Sequence, residues 1–128
     1  MKVLALDYGA ARTGVAVSDP TGTLARPLGV IERAGSEDGL RELAELVRSE
    51  AVDRVVVGLP LTLRGERGEQ AEETERFVEA LAAALEVPVD RFDERFTTTL
   101  AGPGAGEDAR AAAHLLTSYL EWSKSRRH

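Results

Sequence analysis

Three carboxylates stand where side chains of that type are unusual. Asp7 follows the apolar run Val3, Leu4, Ala5 and Leu6, Glu94 follows the run from Val89 to Phe92, and Asp108 opens a segment rich in alanine and leucine. An apolar strand does not normally end in Asp unless the carboxylate is solvated, hydrogen-bonded, capping something or holding a cation. Two or three carboxylates within a few ångströms repel one another, and a divalent cation relieves that repulsion. Oxygen-only donors suit Mg²⁺ or Mn²⁺, one or two ions per site. A pair of such ions can activate water and stabilise the leaving oxygen in phosphodiester hydrolysis. The chain has no cysteine and two histidines. Disulfides, thiolate metal sites and cysteine nucleophiles are therefore excluded.

These acids need elements that bring them together. Residues 2–7 and 13–18 read as two strands joined at Gly9, Ala10 and Ala11, and Pro20, Thr21 and Gly22 turn the chain into a third near 27–32. Short turns between successive strands predict an antiparallel meander. Leu40, Leu43, Ala44 and Val47 then follow a helical spacing that Ser36 can cap. The β-branched run Arg54 to Gly58 predicts a central parallel strand, buried on both faces, that stops at Leu59 and Pro60. Leu61 to Gly68 reads as a loop. A helix from Glu69 follows, with Phe77, Val78, Leu81, Ala82 and Leu85 inward and Pro88 ending it, then a strand over Val89–Phe92. Glycines and a proline from Gly102 to Gly106 precede a last helix from about Glu107 to Trp122, with Ala112, Leu115, Leu116, Tyr119 and Leu120 inward.

The order β β β α β α β α predicts an α/β fold with a mixed five-stranded sheet, a meander continued by parallel strands, flanked by helices. In such a sheet the carboxyl ends of the parallel strands share one edge, where ligands bind. Asp7 and Glu94 are expected to converge there, and Asp108 to close the group. Asp93 is an alternative to Glu94, because neighbouring strand residues point to opposite faces.

With 128 residues and 43% hydrophobic content, the chain is the size of one domain. Residues 1–122 are expected to form it, with 123–128 a flexible basic tail. Only four apolar residues follow Met1 and Lys2 before Asp7, so neither a signal peptide nor a membrane span is expected at this end. A cytoplasmic protein is the expectation. The net charge of −6 argues against a generic basic nucleic-acid coat. Residues 66–94 hold ten acids and three bases, so the rest of the chain is close to neutral. The acids of that stretch read mostly as a solvated helix face.

The segments DYGAARTGVAVSD, VVGLPLTLRGERGEQAEETERFVEAL, DERFTTTLA and DARAAAHLLTSYL resemble, in order, the four blocks of the YqgF (RuvX) family, and together they cover about half the chain. A lone D-x-G is a weak signal; four ordered blocks are a strong one. The resemblance implies a ribonuclease H-like fold shared with Holliday-junction resolvases, and a nuclease maturing the precursor of small-subunit ribosomal RNA. It implies an Asp/Glu/Asp catalytic and metal-holding set on Asp7, Glu94 and Asp108. Arg12, Gly58, Leu59, Pro60, Gly65, Gly68, Arg95, Thr97 and Thr98 occupy other motif positions. Between Thr98 and Asp108 the chain has only TLAGPGAGE, shorter than the often Lys-rich stretch the family carries there. The shortening weakens the substrate expectation more than the metal site.

Arg12, Arg64, Arg67 and Arg95 are candidate phosphate contacts, with salt bridges or ordinary solvated arginines as the plainer reading. Thr97 and Thr98 read as substrate-side or capping groups rather than nucleophiles, since no base is evident beside them. His114 reads as packed or surface histidine. Structured nucleic acid is the expected partner, precursor ribosomal RNA first and branched DNA second, with a ribosomal particle as a further partner. The molecule is expected to be a monomer or a homodimer, and no membrane is implied. A binding module that has lost efficient cleavage is the competing class. An actin-like ATPase also begins with a D-x-G hairpin, but it clamps nucleotide between two lobes, and this chain supplies one.

Overall fold

In the computed structural model, residues 1–60, 68–96 and 109–125 are described. Strands β1 (Val3–Asp7), β2 (Arg12–Ser18) and β3 (Ala25–Glu32) are followed by α1 (Glu37–Ser49), β4 (Arg54–Leu59), α2 (Glu69–Ala84), β5 (Val89–Asp93), a single 3₁₀ turn (Glu94–Phe96) and α3 (Ala109–Ser125). The five strands form one sheet in the order β3-β2-β1-β4-β5. β1, β2 and β3 pair antiparallel, whereas β4 pairs parallel to both β1 and β5. This is the expected meander continued by parallel strands.

Strand alternation sorts the core into two layers. Leu4, Leu6, Val15, Val17, Val55 and Val57 face α1 and α2 and pack with Leu43, Val47, Phe77, Val78 and Leu81. Val3, Ala5, Ala16, Val56 and Phe92 face α3 and pack with Ala112, Leu115, Leu116, Tyr119 and Leu120. β4 is buried on both faces because β1 and β5 flank it and helices cover it, which is why its sequence is a continuous apolar run.

Local chemistry sets the element ends. The Ser36 side chain accepts a hydrogen bond from the Gly39 amide at 3.0 Å and caps α1, with Glu37 and Asp38 in its first turn. Two details of the helices differ from the sequence expectation. α2 ends at Ala84, with Leu85 already extended, and its buried stripe is Ala71, Thr74, Phe77, Val78 and Leu81, while Ala82 is exposed. Alanine carries too little apolar signal to set the phase of a helix. α3 runs on to Ser125, three residues past Trp122, because its last turn is polar and solvent-facing and so leaves no apolar period to read. Among the described residues, no helix is long and apolar enough to cross a membrane.

Candidate active site at the carboxyl edge of the sheet

The site lies where β1, β4 and β5 end. β1 stops at Asp7, and residues 8–11 turn the chain into β2. Gly9 makes this turn possible: a Cβ there would lie 2.4 Å from the Arg12 carbonyl oxygen, so backbone packs on backbone. Thr13, fully buried, brings its hydroxyl to 3.4 Å from both the carbonyl and the amide of Gly9. The hairpin is therefore tight, and Asp7 is held at its mouth.

β5 ends at Asp93, and the chain enters the 3₁₀ turn at Glu94. This change of direction separates the two adjacent acids. Asp93 accepts from Arg95 Nε at 2.9 and 3.1 Å, from Arg95 Nη2 at 2.5 Å and from the Arg95 amide at 2.9 Å. That hydrogen bonding holds the Asp93 carboxyl below the usual carboxylate range. Glu94 instead turns back over β4 and hydrogen-bonds Asp7. Between the two alternatives left by the sequence, Glu94 is the acid that meets Asp7.

Two ionised carboxylates can only accept, so their contact requires a shared proton or a cation between them. Glu94 is pushed above the ordinary range, first by burial and also by the charge of Asp93, with the Asp7 hydrogen bond acting in the opposite direction. An ionised acid is costly in this position, and a divalent cation would offset that cost. Two oxygen donors in contact at a strand edge suit a hard divalent ion. Among the described residues, no three histidine, aspartate or glutamate side chains gather closely enough to hold a metal. Asp108, the third acid expected there, lies outside the described residues, as do Arg64, Arg67, Thr97 and Thr98. Asp108 immediately precedes α3 in the chain.

Asp7 and Glu94 open onto a cleft of about 370 Å³. Tyr8, Arg12 and Pro60 line it together with Gln70, Glu73 and Thr74 from the first turns of α2. Tyr8 stacks on Phe77, with ring centroids 4.3 Å apart and planes 18° from parallel, and its hydroxyl is pushed up by burial and by the Glu73 carboxylate, partly offset by Arg76. Thr74, buried, donates to the Gln70 carbonyl at 2.8 Å and keeps the start of α2 in place. Of the candidate arginines, Arg12 lines the cleft, whereas Arg95 is engaged with Asp93. The helical wall was not legible beforehand. Gln70 and Glu73 sit in a long acidic run, and only their nearness to the start of a helix that follows β4 marks them.

With this geometry in view, comparison with known proteins is specific. A family model described as RuvX, Holliday junction resolvase, matches residues 1–122. The chain belongs to the RuvX family. A Chloroflexus aurantiacus protein named "Putative pre-16S rRNA nuclease" is 50% identical over 99 residues, 77% of this chain and 65% of the relative, so the match spans less than two thirds of that relative's length. A Rubrobacter xylanophilus protein of the same name is 47% identical over 131 residues, covering 94% of this chain and 92% of its own. A Desulforudis audaxviator protein, also so named, is 39% identical over 140 positions, covering 100% of this chain and 99% of its own. Against 128 residues here, that relative carries about a dozen with no counterpart, in keeping with a shortened chain.

Among solved structures, Thermus thermophilus RuvC in complex with a Holliday junction substrate superposes with a TM-score of 0.63 at 19% identity, covering 98% of this chain and 97% of its own. The fowlpox virus resolvase with its Holliday junction DNA gives 0.58 at 12% identity, covering 96% and 99%. Likeness at these identities speaks for the fold. RuvX shares the ribonuclease H-like α/β architecture of the resolvases.

Proposed function

We propose that this RuvX chain is a metal-dependent nuclease that hydrolyses phosphodiester bonds in structured nucleic acid. The observation that carries the reading is the Asp7–Glu94 carboxyl pair, in contact across the carboxyl edge of the sheet and open to a cleft. Asp7, Glu94 and Asp108 are the residues assigned to hold Mg²⁺ or Mn²⁺. The ions, when bound, supply the Lewis acidity and charge neutralisation that water attack on a phosphodiester needs.

The chain's own groups set the rest. Arg12, at the mouth of the β1–β2 turn, offsets the charge of an incoming phosphate, which Asp7, Glu94 and Glu73 would otherwise repel. Pro60 and Tyr8, rigid and largely apolar, limit the water that reaches the acids. Arg64, Arg67, Thr97 and Thr98 are assigned to the substrate path on their motif positions, and Arg95 acts through Asp93. Among the described residues beside the acids, none is assigned as a nucleophile. Direct attack by water, leaving 3′-hydroxyl and 5′-phosphate ends, is therefore the route assigned, without a covalent enzyme intermediate.

Precursor small-subunit ribosomal RNA is the first substrate, on the names of relatives that match nearly the whole chain. Branched DNA is the second, on the description of the family model and the junction-bound neighbours. The site of action assigned is the cytoplasm, on ribosomal precursor particles. End-labelled cleavage of a ribosomal RNA precursor fragment and a four-way DNA junction, with Mg²⁺, Mn²⁺ or chelator, tests both. The expected result is metal-dependent products from the RNA that Asp7→Asn loses; products from the junction alone would move the substrate to DNA. A folded protein yielding no metal-dependent product from either would overturn the nuclease reading.

A further inference from the structure

Asp7 ends β1 and Glu94 directly follows β5, two strands that are not neighbours. β4 lies between β1 and β5, and strands are spaced by about 4.8 Å, so the two backbones stand about 10 Å apart. One side chain has to cross β4 for the carboxyl groups to touch. The crossing point is defined by register. Leu6 pairs with Val57, so Asp7 stands level with Gly58, and Gly58 pairs with Phe92, two residues before Glu94. Alternation puts Asp7 with Val3 and Ala5, and position 58 with Val56, on the α3 face of the sheet. Any side chain at position 58 would stand directly in the path.

We propose that Gly58 is a positioning residue: its bare Cα is the gap in β4 through which Glu94 crosses the strand to meet Asp7. A Cβ at position 58 would lie 2.6 Å from Glu94 Oε1, 2.9 Å from its Cγ and 3.2 Å from its Cδ, its three nearest neighbours among the described residues. The first two distances are shorter than a carbon atom tolerates, so an alanine there and the observed Glu94 conformer exclude each other. Backbone conformation does not demand glycine here. Its φ is not in the left-handed region, and no backbone atom is among those three neighbours. The displacement caused by a methyl group therefore falls on the Glu94 side chain, from Cγ outward, rather than on backbone. Glycine in a strand interior otherwise weakens the strand, which is the expected mark of a site where another group must approach closely.

This inference rests on the reading of Glu94 as a metal-holding carboxylate only where metal is concerned; the geometric part stands without it. The test is Gly58→Ala, in wild-type and Glu94→Asp backgrounds. A crystal structure of metal-free Gly58→Ala is expected to show Glu94 swung away from Asp7, with an unfolding temperature equal to or above wild type. Mn²⁺ binding by calorimetry is expected to weaken at least tenfold. Glu94→Asp alone weakens it comparably, and adding Gly58→Ala to Glu94→Asp then costs no more than about threefold, because the shortened side chain no longer crosses the strand. Glu94 still on Asp7 in the Gly58→Ala crystal, or equal losses in both backgrounds with a lowered unfolding temperature, would overturn the role of Gly58. Wild-type protein that binds no Mn²⁺ would remove the metal reading, while the crystal position of Glu94 would still decide this one.

Discussion

Asp90 lies near the start of β5 and Glu94 just past its end, both directed to the side of the sheet covered by α3; Asp90 meets a side chain of the neighbouring strand β4, and Glu94 one of β1, two strands away. At the amino end of the parallel strands, Asp90 is ion-paired with Arg54 from β4, and the Tyr119 hydroxyl of α3 donates to the same carboxylate at 3.2 Å. At the carboxyl end, Glu94 meets another acid. In the first arrangement opposite charges meet, and the hydrogen bond to Asp90 is the main cause that raises the Arg54 guanidinium further above its ordinary value. The second brings two acceptors together, a contact that calls for a proton or a cation. The two ends of the sheet thus differ in the sign of the partner each acid meets rather than in the type of acid.

Substitution of Glu94 separates the two ends most sharply. Glu94→Gln keeps the shape and lets an amide donate to Asp7, so the burial cost of the charged acid disappears. Metal-dependent cleavage is expected to fall by a factor of about 10² to 10⁴, the range for loss of a group that organises charge in an active site. Thermal unfolding in chelator should stay level or move upward. Mn²⁺ should raise the unfolding temperature of wild type, since a ligand that binds only the folded state stabilises it, and leave the variant unmoved. Activity and stability measured on the same preparations check this. A variant that lost both would make Glu94 a structural residue like Asp90.

The reverse is expected for Asp90→Asn. Arg54 Nε is buried with no hydrogen-bond partner among the described residues, so Arg54 depends on its other nitrogens, and removing the Asp90 charge leaves a half-buried guanidinium poorly matched. Both side chains of the pair keep about a third of their surface exposed, which screens the loss. Stability should drop by about 1 to 2 kcal/mol, read as a shifted denaturant midpoint with unchanged slope. Cleavage at a temperature where the variant is fully folded should match wild type within about twofold. A large loss of activity there would mean that the two ends of β5 are coupled.

How much of this was legible in the chain follows the same division. The buried runs of β1 and β4, the helical period of α1 and the inward stripe of α3 are read from apolar spacing, because strand alternation and helix pitch impose it. That Asp7 and an acid after β5 share an edge follows from parallel topology alone. What does not follow is which strand lies between them. Order β3-β2-β1-β4-β5 depends on long-range pairing that no local pattern encodes, and without it Gly58 is a motif position with no physical reason attached. The choice between Asp93 and Glu94 depends on where β5 gives way to the 3₁₀ turn, a shift of one residue that alternation cannot resolve. Glu73 was hidden differently, since an acid near a helix start has an adequate explanation in the helix dipole and still lines the cleft.

The finest comparison is inside the amino-end cluster, where Tyr119 adds to a pair already neutral. Burial is the main cause raising the Tyr119 hydroxyl above its ordinary value, and the Asp90 charge and the hydrogen bond to Asp90 raise it further, partly offset by Arg54. A phenol raised in the folded state holds its proton longer there than in the unfolded chain. Its contribution is therefore complete below the unfolded value near 10 and is lost as pH rises from there through the folded value. Tyr119→Phe removes the hydrogen bond, at about 0.5 to 1.5 kcal/mol near neutrality, and also removes this alkaline decline. Denaturant midpoints of the two proteins should thus differ at pH 7 and draw together as pH climbs past 10. If the gap stays constant instead, the hydroxyl is not titrating against Asp90, and the ring is held there by its edge contact with Phe92, 5.6 Å between centroids, rather than by the polar cluster.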